Sequence, residues 1–178
     1  MQQTKNEFSR PVEISRIPTT GMKEELEASE RERAALAERL GLVSVDFLNA
    51  SVRLKSVGRD RVRVKGDFHA GVTQTCVVSL EPFKEEIKDS FRVLFVSDLA
   101  EESLRPNEID LDANESEETD VAENGKIDVG ELVVQYLALA LDPFPKRPDV
   151  EFSEISTTQE DDKVPENPFS ILEKLKKS

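Results

Sequence analysis

"VRLKSVGRDRVRVKGDF", residues 52–68, decides how this chain is to be folded. Val52, Leu54, Val62, Val64 and Phe68 fall on even numbers, while Arg53, Lys55, Arg61, Arg63 and Lys65 fall on odd ones. Strict alternation of apolar and polar residues predicts half-buried β-strands. Val57-Gly58-Arg59-Asp60 between the two runs is a hairpin turn signal. Register then follows from parity. If the even residues of both arms share the core face, paired numbers must sum to an even value. A three-residue loop, Gly58 to Asp60, meets this condition, setting Leu54 opposite Val64 and Lys55 opposite Arg63. The five odd cations then share the outward face, with Arg59 at the tip. Like charges directly opposite each other are mildly destabilising, so such a face invites a neutralising partner.

The same parity extends in both directions. Downstream, Ala70, Val72, Cys76, Val78 and Leu80 continue the even set. "IKDSFRVLFV" then places Ile87, Phe91, Val93 and Phe95 on one side, with Leu94 and Val96 opposite. Upstream, Val43, Val45 and Phe47 are odd, which predicts a bulge or bend near Asn49 where the phase slips. These runs predict an antiparallel meander with one buried face. Two helices flank it. The first spans Gly21–Leu40, with Gly41 at its exit and a thin apolar stripe that suits a surface. The second opens at Asp128-x-x-Glu131, a pattern like a capping box, and ends at Asp142-Pro143. Val129, Leu132, Val133, Tyr136, Leu137, Leu139 and Leu141 surround it, so it is expected to be buried against the sheet. Residues 1–20 read as extended, with Phe8, Val12, Ile14 and Ile17 available to an edge strand. The expected fold class is α+β: a bent antiparallel β-sheet, meandering and barrel-like in curvature, with one surface helix and one buried helix.

Charge is unevenly distributed along the 178 residues, whose formal net charge is −13. Between Asp98 and Glu131 thirteen acids face only Arg105 and Lys126, which accounts for −11 of it. The basic hairpin therefore sits on a nearly balanced body. Residues 98–127 carry few large apolar side chains and no periodicity, and read as a disordered acidic insertion within a single domain of residues 1–150. Residues 151–166 read as a linker, and Asn167-Pro168 opens a short C-terminal helix over 167–178.

A catalytic site is not indicated. The one histidine, His69, has outward parity, and the one cysteine, Cys76, has core parity with no cationic or histidine partner suggested nearby. One cysteine and one histidine make a zinc site implausible, and the diffuse carboxylates do not match a calcium-binding loop. No phosphate-binding glycine loop or nucleophile elbow is present, so no cofactor is expected. A lone cysteine forms no internal disulfide, which fits a reducing compartment. The N-terminus has no apolar run, and "LVVQYLALAL" is too short to cross a bilayer. A cytoplasmic protein with no membrane association is expected. The candidate binding residues are Arg53, Lys55, Arg59, Arg61, Arg63 and Lys65, which either meet RNA phosphates or form the solvated side of an amphipathic ribbon whose Lys and Arg deter edge aggregation. Base stacking is not indicated on a chain with no tryptophan.

Several segments together resemble one family. "EFSRPVEISRIP", "ASERERAALAERLGL", "VKGDFHAGVTQTCVVSLEPFKEEIKDSFRVLFV", "IDVGELVVQYLALALDPFPKRPD" and "NPFSILEKLKK" are similar, in kind and in order, to the YceD family of large ribosomal RNA subunit accumulation proteins. The resemblance spans nearly all of the chain except the acidic insertion and the linker. It implies a non-enzymatic role in accumulation or processing of large-subunit (23S) ribosomal RNA, with the RNA or its precursor, or a large-subunit ribosomal protein, as partner. Many members of that family carry a second cysteine three residues after the first. Here Ser79 stands at that position, so a metal or redox role for the pair does not carry over. A different reading is a protein-binding adaptor or chaperone whose acidic insertion captures a basic ribosomal protein.

Overall fold

The computed structural model describes residues 6–58, 61–97 and 118–150. Three long strands dominate it: β3 (Ser44–Ser56), β4 (Arg61–Thr75) and β5 (Pro82–Ser97). β3 and β4 form the hairpin with the register parity predicted: Leu54 opposes Val64, Lys55 opposes Arg63 and Arg53 opposes Lys65. Gly58 adopts φ +83°, a left-handed conformation that suits glycine at the turn. The even residues Val52, Leu54, Val62, Val64 and Val72 are fully buried, and β5 adds Ile87, Phe91, Val93 and Phe95 to the same side.

The sheet has five strands in the order β2-β3-β4-β5-β6, with β2 at Met22–Glu27 and β6 at Glu118–Ala122. It does not close into a barrel. β6 pairs parallel to β5, so the sheet is mixed rather than wholly antiparallel. Helices α1 (Glu30–Leu40) and α2 (Val129–Ala140) pack on the inward face, α1 against β3 and α2 against β5 and β4. A small second sheet joins β1 (Pro11–Glu13) to β7 (Lys126–Asp128). It brings Phe8, which is fully buried, and Ile17 into the core.

Four expectations are corrected. The helix expected over Gly21–Leu40 is half strand: Met22, Glu24 and Leu26 alternate as edge strand β2, and α1 begins only at Glu30. Ser29 caps it with a capping box, its hydroxyl accepting from the Glu32 amide while Glu32 accepts from the Ser29 amide. The phase slip lies between Val45 and Phe47 rather than near Asn49, which turns Phe47 outward while Val45 stays buried. The stretch expected to be disordered through residue 127 is ordered from Glu118 onward, because Val121 and Ala122 find partners on the β5 edge at Val96 and Ser97. The second helix is buried on one side only: Val129, Leu132, Val133, Val134 and Leu137 are in the core, but Leu139 is exposed. Residues 98–117, the linker 151–166, the C-terminal segment 167–178 and Arg59 lie outside the described residues.

Asp128 joins the N-terminal segment to α2. Its carboxylate accepts from the amides of Gly130 and Glu131, both at 3.1 Å, capping the helix. The same carboxylate accepts from Ser9 Oγ at 2.6 Å and the Arg10 amide at 2.7 Å. Arg10 continues the connection to α1 through a bidentate pair with Glu32. Arg39 of α1 clamps Glu131 and Glu7 together.

Candidate nucleic-acid interface

Both helices cover the inward face, so the outward face of β2–β5 carries the odd-numbered side chains of β2, of β3 from Phe47 onward and of β4, and the even-numbered ones of β5. Cross-strand pairing arranges these in rows. One row runs Lys23, Arg53, Lys65, Arg92 across four adjacent strands. At a strand spacing of about 4.8 Å, the Cα positions of these four cations span about 14 Å. Beside it lies a shorter row of Lys55 and Arg63, continued by Leu94, and then Arg61 nearer the hairpin tip. Arg53, Lys55 and Lys65 are exposed, whereas Arg61, Arg63 and Arg92 are partly covered.

Five of the six predicted cations, Arg53, Lys55, Arg61, Arg63 and Lys65, therefore do share one surface, and Arg59 is not described. The sequence reading missed Lys23 and Arg92. Arg92 was accessible to the same parity argument, since Ile87, Phe91, Val93 and Phe95 turn it outward on β5. Lys23 was hidden by the helix assigned across β2. Lys23 also forms an ion pair with Glu25 on its own strand. The Lys23 ammonium chiefly holds the Glu25 carboxyl below its ordinary value, assisted by a hydrogen bond from Ser51 and by the charge of Arg53. Among the described residues, no ion pair engages Arg53, Lys55, Arg61 or Lys65.

Two glycines of β4 allow aromatic rings to pack closely on the sheet. Gly66, between Lys65 and Asp67, opposes Phe91, and a Cβ there would stand 2.2 Å from the ring. Phe91 in turn stacks on Tyr136 of α2, with centroids 4.6 Å apart. On the outward side the Phe47 ring lies over Gly71 and meets His69 edge-on at 4.7 Å. His69 is an ordinary outward strand residue, as expected, with Nε2 3.0 Å from Glu86.

Cys76 is fully buried, but in the turn that follows β4 rather than on a strand: β4 ends at Thr75, and Leu80 of the same even set is exposed. Its setting is nonetheless not neutral. The Ser79 hydroxyl and amide donate to the sulfur, the latter at 3.4 Å, and with the Arg147 and Val78 amides they lower the thiol pKa to about 6. Arg147 supplies the cationic neighbour that the sequence did not suggest, reaching this loop through its pairs with Glu81 and Asp149. Among the described residues, no group of three or more His, Cys, Asp and Glu side chains is arranged to hold a metal ion. No helix among them is long and apolar enough to cross a membrane.

A family model described as large ribosomal RNA subunit accumulation protein YceD matches residues 64–176. No curated protein and no solved structure matches the chain.

Proposed function

Since the chain belongs to the YceD family of large ribosomal RNA subunit accumulation proteins, we propose that it acts in the cytoplasm by binding large-subunit ribosomal RNA, or its precursor, on the outward face of the β2–β5 sheet. The role is non-enzymatic. The observation that carries this reading is the row Lys23, Arg53, Lys65, Arg92, set beside Lys55, Arg63 and Arg61. A polyanion laid along these cations removes the like-charge repulsion between neighbouring strands. The remaining negative charge of the molecule does not prevent this, because ionic fields are screened within about 8 Å at physiological salt. Contacts of this kind go to phosphates and fix position more than sequence. Stability of bound RNA, rather than chemistry on it, would then underlie accumulation.

Affinity should fall with salt by about 0.7 log units per log unit of salt for each phosphate contact on single strands. Six contacts give a slope of about −4. Replacing Arg53, Lys65 and Arg92 together by Gln should reduce its magnitude by about 2 and lower large-subunit ribosomal RNA levels in cells. An unchanged slope would refute the proposed surface. Normal large-subunit RNA after deletion of the gene would refute the role. The adaptor reading predicts instead that a basic ribosomal protein is retained by the triple variant, with RNA binding absent in both forms.

A further inference from the structure

The row next to the four cations is chemically different. Glu25, Ser51, Asp67 and Ser90 are paired across the same four strands, and beyond them come Glu27, Asn49, His69 and Lys88. Between these two rows lies a depression of about 860 Å³. Residues of the intervening row, Leu26, Ala50, Phe68 and Asp89, also border it; the first three have their side chains buried on the other side, whereas Asp89 is exposed. The inward rows that flank them, with Val52 and Phe91 on one side and Leu48 and Ile87 on the other, take no part in its lining. The depression is therefore on the outward face, floored by backbone and walled by polar side chains.

Phosphate is repelled by a row containing Glu25 and Asp67. A strand held by the cation row must therefore present something else to its neighbour, about 6.7 Å further along each strand. Carboxylates accept hydrogen bonds and serine hydroxyls both donate and accept. The sugar hydroxyl unique to RNA is itself both donor and acceptor. We propose that this depression seats one ribonucleoside of a bound RNA strand, with Asp67 accepting from its 2′-hydroxyl and Ser90 donating to it. Glu25 is already engaged with Lys23 and Ser51, whereas no ion pair among the described residues engages Asp67. Asp67 is exposed and central, flanked by the two serines. The acidic row thus acts as a filter for ribose, beside a cation row that is indifferent to the sugar.

This inference rests on the RNA-binding reading, and one titration separates them. The full-length protein is titrated against a fluorescent single-stranded RNA, the DNA of the same sequence and the 2′-O-methyl RNA, all at one salt concentration. RNA should bind roughly tenfold more tightly than DNA, the worth of one hydrogen bond to a charged group. The 2′-O-methyl strand, which cannot donate, should behave like DNA. Asp67→Ala should bring the RNA-to-DNA ratio towards one, chiefly by raising DNA affinity. Ser90→Ala should narrow the ratio with the charge unchanged, which covers the case in which loss of Asp67 disturbs the fold. Equal binding of RNA and DNA by the unaltered protein overturns the ribose filter and leaves the phosphate surface standing. A ratio that survives in folded Asp67→Ala and in Ser90→Ala also overturns it. No binding of either strand overturns both readings.

Discussion

Gly66→Ala adds one methyl group and tests how tightly Phe91 is packed against β4. The new Cβ would be 2.2 Å from Phe91 Cζ and 2.5 Å from Cε1. Ordinary carbon contacts need about 3.5–4.0 Å, so the ring must move by more than about 1 Å. It has little room to do so, because Phe91 is 6% exposed and is stacked on Tyr136. Overpacking of this sort costs about 1–3 kcal/mol, and a lost aromatic stack adds about 0.5–1.5 kcal/mol. Against this, alanine recovers about 0.5–1 kcal/mol of the conformational entropy that glycine loses in a strand. The net expectation is a destabilisation of about 1–3 kcal/mol. Urea unfolding at neutral pH measures it as a lowered midpoint at unchanged slope. Phe91→Leu in the Gly66→Ala background should recover part of the loss, because the two changes share one contact and cannot add. A midpoint for Gly66→Ala equal to or above that of the unaltered protein would refute the reasoning.

Asp128→Ala removes a helix cap and also leaves the Ser9 hydroxyl and the Arg10 amide without their acceptor; a loss of about 2–4 kcal/mol is expected by urea unfolding. A change within 0.5 kcal/mol would mean that the N-terminal segment is not held through this carboxylate. Arg10, with help from Ser29, lowers the Glu32 pKa from its ordinary 4.5 to about 2, so the folded state favours the ionised form. That contribution is present above the unfolded pKa and disappears as pH falls from about 4.5 to 2. The gap in stability between the unaltered protein and Glu32→Gln, of the order of 2–3 kcal/mol at neutral pH, should therefore close over that window and be flat above it. A gap that stays constant down to pH 2 would contradict this. Cys76, although its pKa is near 6, is buried. A thiol reagent at pH 7 should label it slowly in the folded protein and rapidly in urea; equal rates would show that the thiol is open to solvent.

How much was legible in the sequence depended on whether a residue's setting is local. Parity alone set Leu54 against Val64 and turned Arg53, Lys55, Arg61, Arg63 and Lys65 outward, because a hairpin's register is fixed by its own turn and its own buried face. The second helix announced itself through Asp128 and Glu131 for the same reason. The first half of "MKEELEASERERAALAERL" misled, because Met22, Lys23, Glu24 and Glu25 are compatible with helix and strand alike. Pairing with the β3 edge from Leu54 to Asn49 decided the matter, and that is a tertiary fact. The capping box at Ser29 and Glu32 was the available signal that the helix starts later. β6 could not be read from its acid-rich composition, since what orders it is an open edge of β5 more than twenty residues upstream. The cation row was half visible for the same reason: Arg53 and Lys65 belong to one hairpin, whereas Lys23 and Arg92 join it only through strands β2 and β5.

Because β6 runs alongside β5 in the same direction, the chain leaving Ser97 must travel back the length of their shared ladder before it enters Glu118. That ladder is five residue pairs, Val93 to Ser97, or about 16 Å. The twenty intervening residues, 98–117, have a contour of roughly 66–72 Å. The connection is thus several times longer than its errand, and doubling it would cost only about 0.6 kcal/mol in closure entropy. Topology sets a minimum on this stretch and almost no maximum. Its extent and its heavy load of carboxylates are free to drift, or to be replaced by an unrelated graft, without disturbing the register on which the rest of the molecule depends.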